Sequence, residues 1–182
     1  MNQMVYRVGP NDTITFVDAA WSAFASQNGM ASPAPEAVLG TSLWKHIADL
    51  TTRHLYKQLA DKVRQTRKPL TLPFRCDAPG KRRHMELHIT PVAESELEFR
   101  SVLLRETKRS PIQSPPSKTS RSSKPMLMCV WCKRVKTSDW HEIEHAIRDS
   151  KLFAKAVLPL LSHVACPDCA SRSPASGTVI FD

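Results

Sequence analysis

The chain has 182 residues, of which 41% are hydrophobic and 24% are charged, and its formal net charge is +9. This length suffices for one domain and a small additional module, and no segment approaches the roughly 18 consecutive apolar residues of a membrane-spanning helix. Because no secretory signal pattern follows Met1, we expect a cytoplasmic protein whose five cysteines stay reduced.

The N-terminal segment predicts two short strands, at residues 4–8 and 13–17, separated by a Gly-Pro-Asn-Asp turn. Asp18 is suited to cap the next helix, since apolar residues recur at helical spacing from there to Asn28. A further helical turn is predicted at residues 42–47. These elements place two strands before the first helices.

A longer amphipathic helix is predicted at residues 51–67, because Leu55, Leu59 and Val63 mark one apolar face. Pro69 ends it. The following residues alternate between apolar and polar side chains and predict three strands, at 70–76, 85–89 and 97–103. Pro73 indicates that the first of these strands lies at a sheet edge or carries a bulge.

This order of elements predicts an α+β fold, with an antiparallel five-stranded sheet and helices on one face. Its large aromatic residues are interpreted as core rather than as the lining of a cofactor pocket, because a domain of about 100 residues must bury them to be stable. They are Trp21, Phe24, Trp44, Phe74 and Phe99.

The basic character of the chain is concentrated in residues 107–125, which contain five Lys/Arg and no acidic residue. Residues 1–106, by contrast, carry 14 basic and 11 acidic residues. We predict a disordered Ser/Pro-rich linker at 107–125, because it offers almost nothing to bury. It could contact phosphates, but no aromatic residues interleave the charges as base stacking requires, so a solvated tether is the favoured interpretation.

Four of the five cysteines form two Cys-x-x-Cys pairs, Cys129 with Cys132 and Cys166 with Cys169. Two such turns supply four thiolates to one tetrahedral ion at Zn–S distances of about 2.3 Å, with no open position for a substrate. The pattern therefore predicts a structural Zn²⁺ site in a module at residues 126–172, followed by a tail at 173–182. The pairs are further apart than is common, so a small helical insert is expected between them.

Other uses of these residues are less favoured. Two disulfides would require an oxidising compartment. A redox-active dithiol would be expected at the start of a helix in a βαβ context, which surrounds neither pair. His163 could replace one sulfur as a ligand, but with four cysteines available a role outside the ligand set is favoured. Cys76 stands alone in a strand and is interpreted as a small core residue.

Between the cysteine pairs, a helix is predicted at residues 140–148, with Trp140 packed over the metal site. Glu142 and Glu144 are predicted to face solvent. The apolar stretch at 152–161 is too large for such a small module to bury, so part of it is expected to dock on the first domain or on a partner.

Residues 4–106 resemble a PAS domain in their element order, in the strand that enters a helix at Asp18, in the Val-Leu-Gly-Thr-Ser-Leu segment at 38–43 and in the terminal meander. Residues 126–172 resemble a cysteine-rich tail that follows PAS domains in some bacterial sensory proteins, with Cys-x-x-Cys-Lys-Arg, Trp140 and a His-x-x-Cys-Pro-x-Cys sequence. The resemblance implies ligand sensing or signal relay without catalysis. Residues 36–67 contain no cysteine, so the flavin-adduct chemistry of light-sensing PAS domains is excluded.

Together, these features predict a noncatalytic signalling or regulatory protein, in which a PAS-like domain at 1–106 senses a ligand or binds a protein partner. The sequence identifies no PAS ligand and is equally consistent with there being none. Homodimerisation is compatible with the resemblance, although no heptad pattern supports it. The alternatives are a nucleic-acid-binding regulator that uses the zinc module and basic linker, and a dithiol redox protein.

Overall fold

The computed structural model of the chain describes residues 3–27, 34–47, 49–78, 80–109, 120–149 and 157–172. The central part of the predicted linker, the predicted tail at 173–182 and residues 152–156 of the apolar stretch at 152–161 lie outside the described residues. None of the helices in the described part of the chain is long and apolar enough to cross a membrane.

The N-terminal region contains an antiparallel sheet of five strands in the order β2-β1-β5-β4-β3. This arrangement confirms the predicted α+β fold class, and it places β3, the strand with Pro73, at the predicted sheet edge. The strands are β1 Gln3–Val8, β2 Ile14–Val17, β3 Leu70–Arg75, β4 Lys81–Pro91 and β5 Leu97–Lys108.

Two helices, α1 Ala19–Gln27 and α2 Leu50–Thr66, connect β2 to β3, with single-turn 3₁₀ helices at Pro35–Ala37 and Leu43–His46 between them. As predicted, Asp18 caps α1: its carboxylate accepts a hydrogen bond of 2.9 Å from the Trp21 amide. The Asp49 carboxylate accepts a hydrogen bond of 2.7 Å from the Thr52 amide at the start of α2. Both helices therefore begin at side-chain caps that the sequence supplies locally.

The helices pack on one face of this sheet. Leu55, Leu59 and Val63 are buried as the amphipathic pattern of α2 predicts. On the sheet, Phe99 is fully buried and stacks on Tyr6 with 4.9 Å between ring centroids. Full burial of each large apolar side chain stabilises a fold by roughly 1.5–3 kcal/mol, so this layer is the main source of the domain's stability.

The C-terminal region forms a second sheet of four strands in the order β8-β7-β6-β9, in which β6 and β9 are parallel. Its strands are β6 Arg121–Cys129, β7 Val135–Lys136, β8 Trp140–His141 and β9 Leu158–Val164. Two short helices accompany it, α3 Ile143–Asp149 and α4 Pro167–Arg172. Trp140 therefore lies in a strand, and the predicted helix at 140–148 begins only at Ile143, because β7 pairs with residues 140–141.

The ends of the predicted linker are part of these sheets. β5 continues to Lys108, since β4 pairs with it along its whole length and Lys81 lies opposite Lys108. β6 begins at Arg121, because β9 pairs with it from Leu158 onward. Regular structure thus extends into the predicted 107–125 segment from both sides, and the domain boundaries at 106 and 126 stay a prediction.

The two regions share a hydrophobic core. Cys129, Val130, Trp131 and Cys166 are buried in the same cluster as α2 and the inner face of the first sheet. The expectation that Glu142 and Glu144 face solvent is wrong, because both carboxylates form ion pairs with Arg75 of β3. The C-terminal module therefore packs directly against the edge strand of the first sheet.

Candidate metal centre and cavity

The four cysteines of the two Cys-x-x-Cys pairs lie together in one cluster, with their sulfur atoms all within 4.8 Å of one another. Cys132 Sγ and Cys166 Sγ, from different pairs, are 3.7 Å apart. Cys129 and Cys166 are fully buried, and Cys132 and Cys169 are half-buried. The structure thus brings together every cysteine that the sequence predicts as a metal ligand.

A tight turn aims the first pair at the cluster. The Cys129 amide donates to the Arg134 carbonyl at 2.7 Å, and the Lys133 amide donates to the Cys129 carbonyl at 3.1 Å. Lys133 takes the left-handed conformation, with a φ of 61°, that closes this turn. Because the chain reverses within these residues, the two sulfurs of the pair project to the same side.

The second pair lies at the start of α4. Pro167 occupies the first helical position, which suits its fixed φ and missing amide hydrogen. The Cys169 amide donates to the Cys166 carbonyl at 3.0 Å, so the two side chains lie on one helical turn. The Cys166 amide in turn donates to Cys129 Sγ at 3.4 Å, which supplies a hydrogen bond to a negatively charged sulfur.

The thiols of the cluster shift one another's ionisation. Hydrogen bonds from Cys132 and Cys169 lower the pKa of the Cys129 thiol far below its ordinary value. The hydrogen bond to Cys129 raises the pKa of Cys132 to about 12, and hydrogen bonds to Cys129 and Cys132 raise the pKa of Cys169. Four thiolates within 4.8 Å of one another would repel strongly unless a cation lay between them, and a closed all-sulfur set is the one that Zn²⁺ takes in structural sites.

Arg134 joins the two cysteine pairs outside the sulfur cluster. Its guanidinium lies 2.7 Å from the Asp168 carboxylate and 3.5 Å from the Glu142 carboxylate. His163 lies outside the four-sulfur cluster, and its Nδ1 is 2.9 Å from the carboxylate of Asp49 at the start of α2. These contacts position the cysteine-bearing turns and connect them to the first domain.

A buried ion network at the edge of the first sheet was missed by sequence reasoning. Arg75 is only 4% exposed, and its guanidinium contacts the carboxylates of Asp77, Glu142 and Glu144. Arg109 also bridges Asp77 and Glu144, at 3.1 and 2.8 Å. The strand alternation places Arg75 on the face opposite the core, where it is buried only because the C-terminal module covers it.

Glu144 is the most strongly perturbed carboxylate of this network. Burial by itself would raise the pKa of Glu144, but a hydrogen bond from its own amide and the guanidinium groups of Arg82, Arg109 and Arg75 outweigh that effect and lower the pKa to about 2. The carboxylate is therefore ionised at neutral pH, and the contact between module and sheet edge depends on its charge.

A cavity of about 700 Å³ lies between the inner face of the first sheet and the helices. This is within the usual range for small-molecule sites. Its walls are mostly apolar and include Met4, Leu43, Ile47, Phe74, Met85 and Leu103. Of the aromatic residues predicted as core, Trp21 and Phe74 line this cavity. Trp44 and Phe99 are buried outside it. The side chain of Phe24 lies outside the described part of the structure.

A few polar groups interrupt the apolar lining. Trp21 is 8% exposed, and its Nε1 hydrogen has no hydrogen-bond partner in the described structure. Burial raises the pKa of both Tyr6 and Tyr56, so both hydroxyls stay protonated at neutral pH. A partnerless buried donor of this kind costs roughly 1–3 kcal/mol.

Two cations line the cavity where β4 and β5 pair. Lys81 Nζ lies 2.7 Å and Arg83 Nε 2.9 Å from the Glu106 carboxylate. One carboxylate thus faces two positive charges, and this part of the lining carries a net charge of +1. The sequence could not indicate this site, because the three residues meet only through strand pairing.

The family model described as the PAS fold matches residues 1–107. The chain belongs to the PAS fold family. This membership confirms the resemblance found in the sequence and indicates a sensory or signalling role, since PAS domains are typically sensory, noncatalytic domains.

Two solved structures are similar to part of this chain. A domain of an HTR-like protein from Haloarcula marismortui has 14% identity and a TM-score of 0.43, covering 57% of this chain and 98% of that domain. The PAS domain of Bordetella pertussis BvgS has 16% identity and a TM-score of 0.41, covering 62% of this chain and 78% of that domain. Comparison with curated proteins gives no match.

Proposed function

We propose that this chain is a noncatalytic signalling protein, in which the PAS domain senses a small ligand and the four cysteines hold one structural Zn²⁺ in a module that supports interaction with a protein partner. The observation that carries the sensory part is the mostly apolar cavity of about 700 Å³ inside a PAS fold. A pocket of this kind, apolar with a few placed polar groups, is typical of small-molecule sites.

The lining of the cavity favours a particular ligand chemistry. Its apolar walls suit an alkyl or aryl body. The excess positive charge of Lys81 and Arg83 over Glu106 suits an anionic end. A ligand with an apolar body and one carboxylate satisfies both features.

Burial of the cysteine cluster supports zinc rather than dithiol redox chemistry. A reactive thiolate must be reachable by its substrate, but Cys129, whose pKa is lowered, is fully buried. Its neighbours in the cluster are three further sulfurs rather than an open cleft. A closed metal site requires this arrangement, and an exchange-active dithiol does not fit it.

The nucleic-acid alternative receives less support from the described residues. Arg109, one of the five basic residues that motivated it, is paired with Asp77 and Glu144. The guanidinium of Arg121 donates to the Pro159 carbonyl. Free positive charge is what phosphate contact would need, and these two guanidinium groups are engaged within the protein.

Native mass spectrometry of the full chain, purified without added metal or ligand, tests this proposal. We expect a mass excess over the denatured chain of one zinc ion, because the four sulfurs form one closed site. An additional organic mass would show that the cavity is occupied. A metal-free chain with four alkylatable cysteines would contradict the zinc assignment.

The ligand chemistry gives a second prediction, which uses decanoate and decanol as matched probes. Decanoate is expected to bind more tightly than decanol, and Arg83→Gln to weaken decanoate binding about tenfold while leaving decanol unchanged, because a charged hydrogen bond contributes about 1.5–3 kcal/mol. Titration calorimetry measures both affinities.

Arg100→Gln is the matched control for that comparison. Arg100 lies on the same sheet but pairs with Glu98, outside the cavity. Equal loss of decanoate affinity in both variants would mean that net charge, rather than the cavity, attracts the probe. Equal affinity of the intact chain for decanoate and decanol would overturn the assignment of an anionic ligand.

A further inference from the structure

Trp131 connects the metal centre to the PAS domain. It lies in the turn between Cys129 and Cys132, and it is only 4% exposed. Its ring packs on Tyr56 of α2, with 5.9 Å between the ring centroids. Its carbonyl accepts a hydrogen bond of 2.7 Å from the Arg75 amide at the end of β3. A residue held between two ligand cysteines therefore touches both a helix and a strand of the PAS domain.

The PAS residues at this contact are also part of the cavity wall. Tyr56 lines the cavity, and so do Phe74 and Cys76, the two neighbours of Arg75 in the chain. β3 is the edge strand of its sheet, so only β4 holds it from the other side. Because Pro73 has no amide hydrogen, the next residue with an amide directed to the open edge is Arg75. The hydrogen bond to Trp131 thus anchors this edge beside the cavity.

The side chain of Arg75 provides a second anchor to the same module. Its guanidinium contacts Glu142, just before α3, and Glu144, within α3. Glu142 also contacts Arg134, whose carbonyl closes the first cysteine turn. Backbone and side chain of one PAS residue are therefore both held by groups whose positions depend on the cysteine-bearing turn.

We propose that metal occupancy of the Cys129, Cys132, Cys166 and Cys169 site controls the order of the cavity wall formed by Tyr56, Phe74 and Cys76. This inference rests on the proposed zinc site and cavity. Ligands of a structural metal site take up their fixed geometry only when the metal is bound, so loss of the ion frees the turn that carries Trp131. By thermodynamic linkage, a ligand that orders the wall must also tighten metal binding by the same factor.

The half-buried thiol of Cys76 reports on this wall, because it lines the cavity and lies outside the metal cluster. The full chain is treated with iodoacetamide at one pH, with zinc bound or after removal of zinc by EDTA. Peptide mass spectrometry then gives the alkylation rate of each cysteine separately. We expect Cys76 to react about tenfold faster in the zinc-free chain, a factor typical of coupled sites.

Circular dichroism and amide exchange of β1 accompany the labelling. The proposal requires that Cys76 loses protection while the amides of β1, which pairs with β2 and β5 of the first sheet, keep theirs. Unchanged Cys76 protection in a chain that has lost its zinc would overturn the proposal. Equal loss of protection in β1 would also overturn it, because the metal would then stabilise the whole fold rather than this wall.

The variant Trp131→Ala separates the metal from its contact with the wall. It keeps all four cysteines and is expected to retain zinc, yet to show fast Cys76 alkylation with or without the metal. Trp131→Phe, which keeps an aromatic ring against Tyr56, should retain most of the protection and serves if the alanine variant does not fold. Leu160→Ala, at an exposed position on β9, is the control and should behave like the unmodified chain.

The outcomes distinguish this proposal from the proposed function. A purified chain that takes up no zinc would contradict the zinc assignment itself, before any effect on the cavity is measured. A chain that holds zinc, but whose Cys76 reacts at the same rate in the zinc-bound, zinc-free and Trp131→Ala forms, would leave that assignment intact and refute only the coupling.

Discussion

Replacement of Cys166 by serine is expected to yield a chain that purifies without metal and whose C-terminal module is unfolded. Cys166 is fully buried, and its sulfur lies within 4.8 Å of the other three. A hydroxyl is a poor zinc ligand, so the site loses one of its four donors. Because structural zinc sites in small domains contribute about 10–16 kcal/mol of apparent binding free energy, the module is not expected to fold without the ion.

Metal analysis together with a two-dimensional NMR spectrum checks this expectation. Resonances of β6–β9 should collapse, and those of β3 should broaden because they lose the Trp131 contact, while β1 and β5 stay dispersed. Cys76→Ser is the matched control, since Cys76 lies outside the sulfur cluster and should leave zinc content unchanged. Full zinc content in Cys166→Ser would refute its role as a ligand.

The parts of the fold that depend on contacts between residues close in sequence were predictable from the sequence. The cap at Asp18 and the apolar face of Leu55, Leu59 and Val63 depend on neighbours within one or two helical turns. Strand alternation likewise identified β3, and Pro73 correctly placed it at a sheet edge. The element order also predicted one antiparallel sheet with helices on one face, but it did not give the order of the strands, because strand order is set by contacts distant in sequence.

The C-terminal module was less predictable, because its pairings also join residues that are distant in sequence. Its edge strand β9 pairs in parallel with β6 across about 30 residues, and nothing local specifies that pairing. Glu142 and Glu144 were assigned to solvent because helical periodicity shows which residues are polar, not which face another domain covers. Arg75 in β3 is their partner, and neither sequence segment indicates the other.

The two candidate sites also differ in how far the sequence predicts them. Cysteine spacing is a local property, so all four sulfurs of the cluster could be named in advance. The cavity is the volume that remains after helices and sheet have packed, and it has no sequence signature of its own. Its lining combines Tyr6, Tyr56 and Ser101 from three different elements, which sequence reasoning did not connect.

Arg75→Leu is expected to lower the free energy of unfolding by about 3–5 kcal/mol, the usual effect of removing one partner from a buried ion pair. Leucine leaves the carboxylates of Asp77, Glu142 and Glu144 without their shared cation at the junction of module and sheet. Denaturant unfolding of the zinc-bound chain measures the change. Arg100→Leu is the control: Arg100 is 46% exposed and pairs with one carboxylate, so its loss should cost at most about 1 kcal/mol.

A second substitution shows whether the loss of stability in Arg75→Leu comes from lost charge pairing or from lost packing. Neutralising one of the three carboxylates, as in Arg75→Leu combined with Glu144→Gln, should recover part of the lost stability, because the remaining guanidinium groups of Arg109 and Arg134 then face fewer negative charges. Additive loss from the two substitutions would instead mean that Arg75 and Glu144 act independently, which would contradict the network.

The pH dependence of the Arg75→Leu effect follows from the pKa of Glu144, which is lowered to about 2 in the folded chain. A carboxylate with a lowered folded-state pKa contributes stability above its unfolded pKa of about 4.3, and this contribution is lost as the pH falls toward 2. Protonation also removes a negative charge that Arg75 no longer helps to balance in the variant. The difference in free energy of unfolding between the unmodified chain and Arg75→Leu should therefore be largest near neutral pH and should become smaller below a pH of about 4. A difference that stays constant with pH would indicate that only packing is lost.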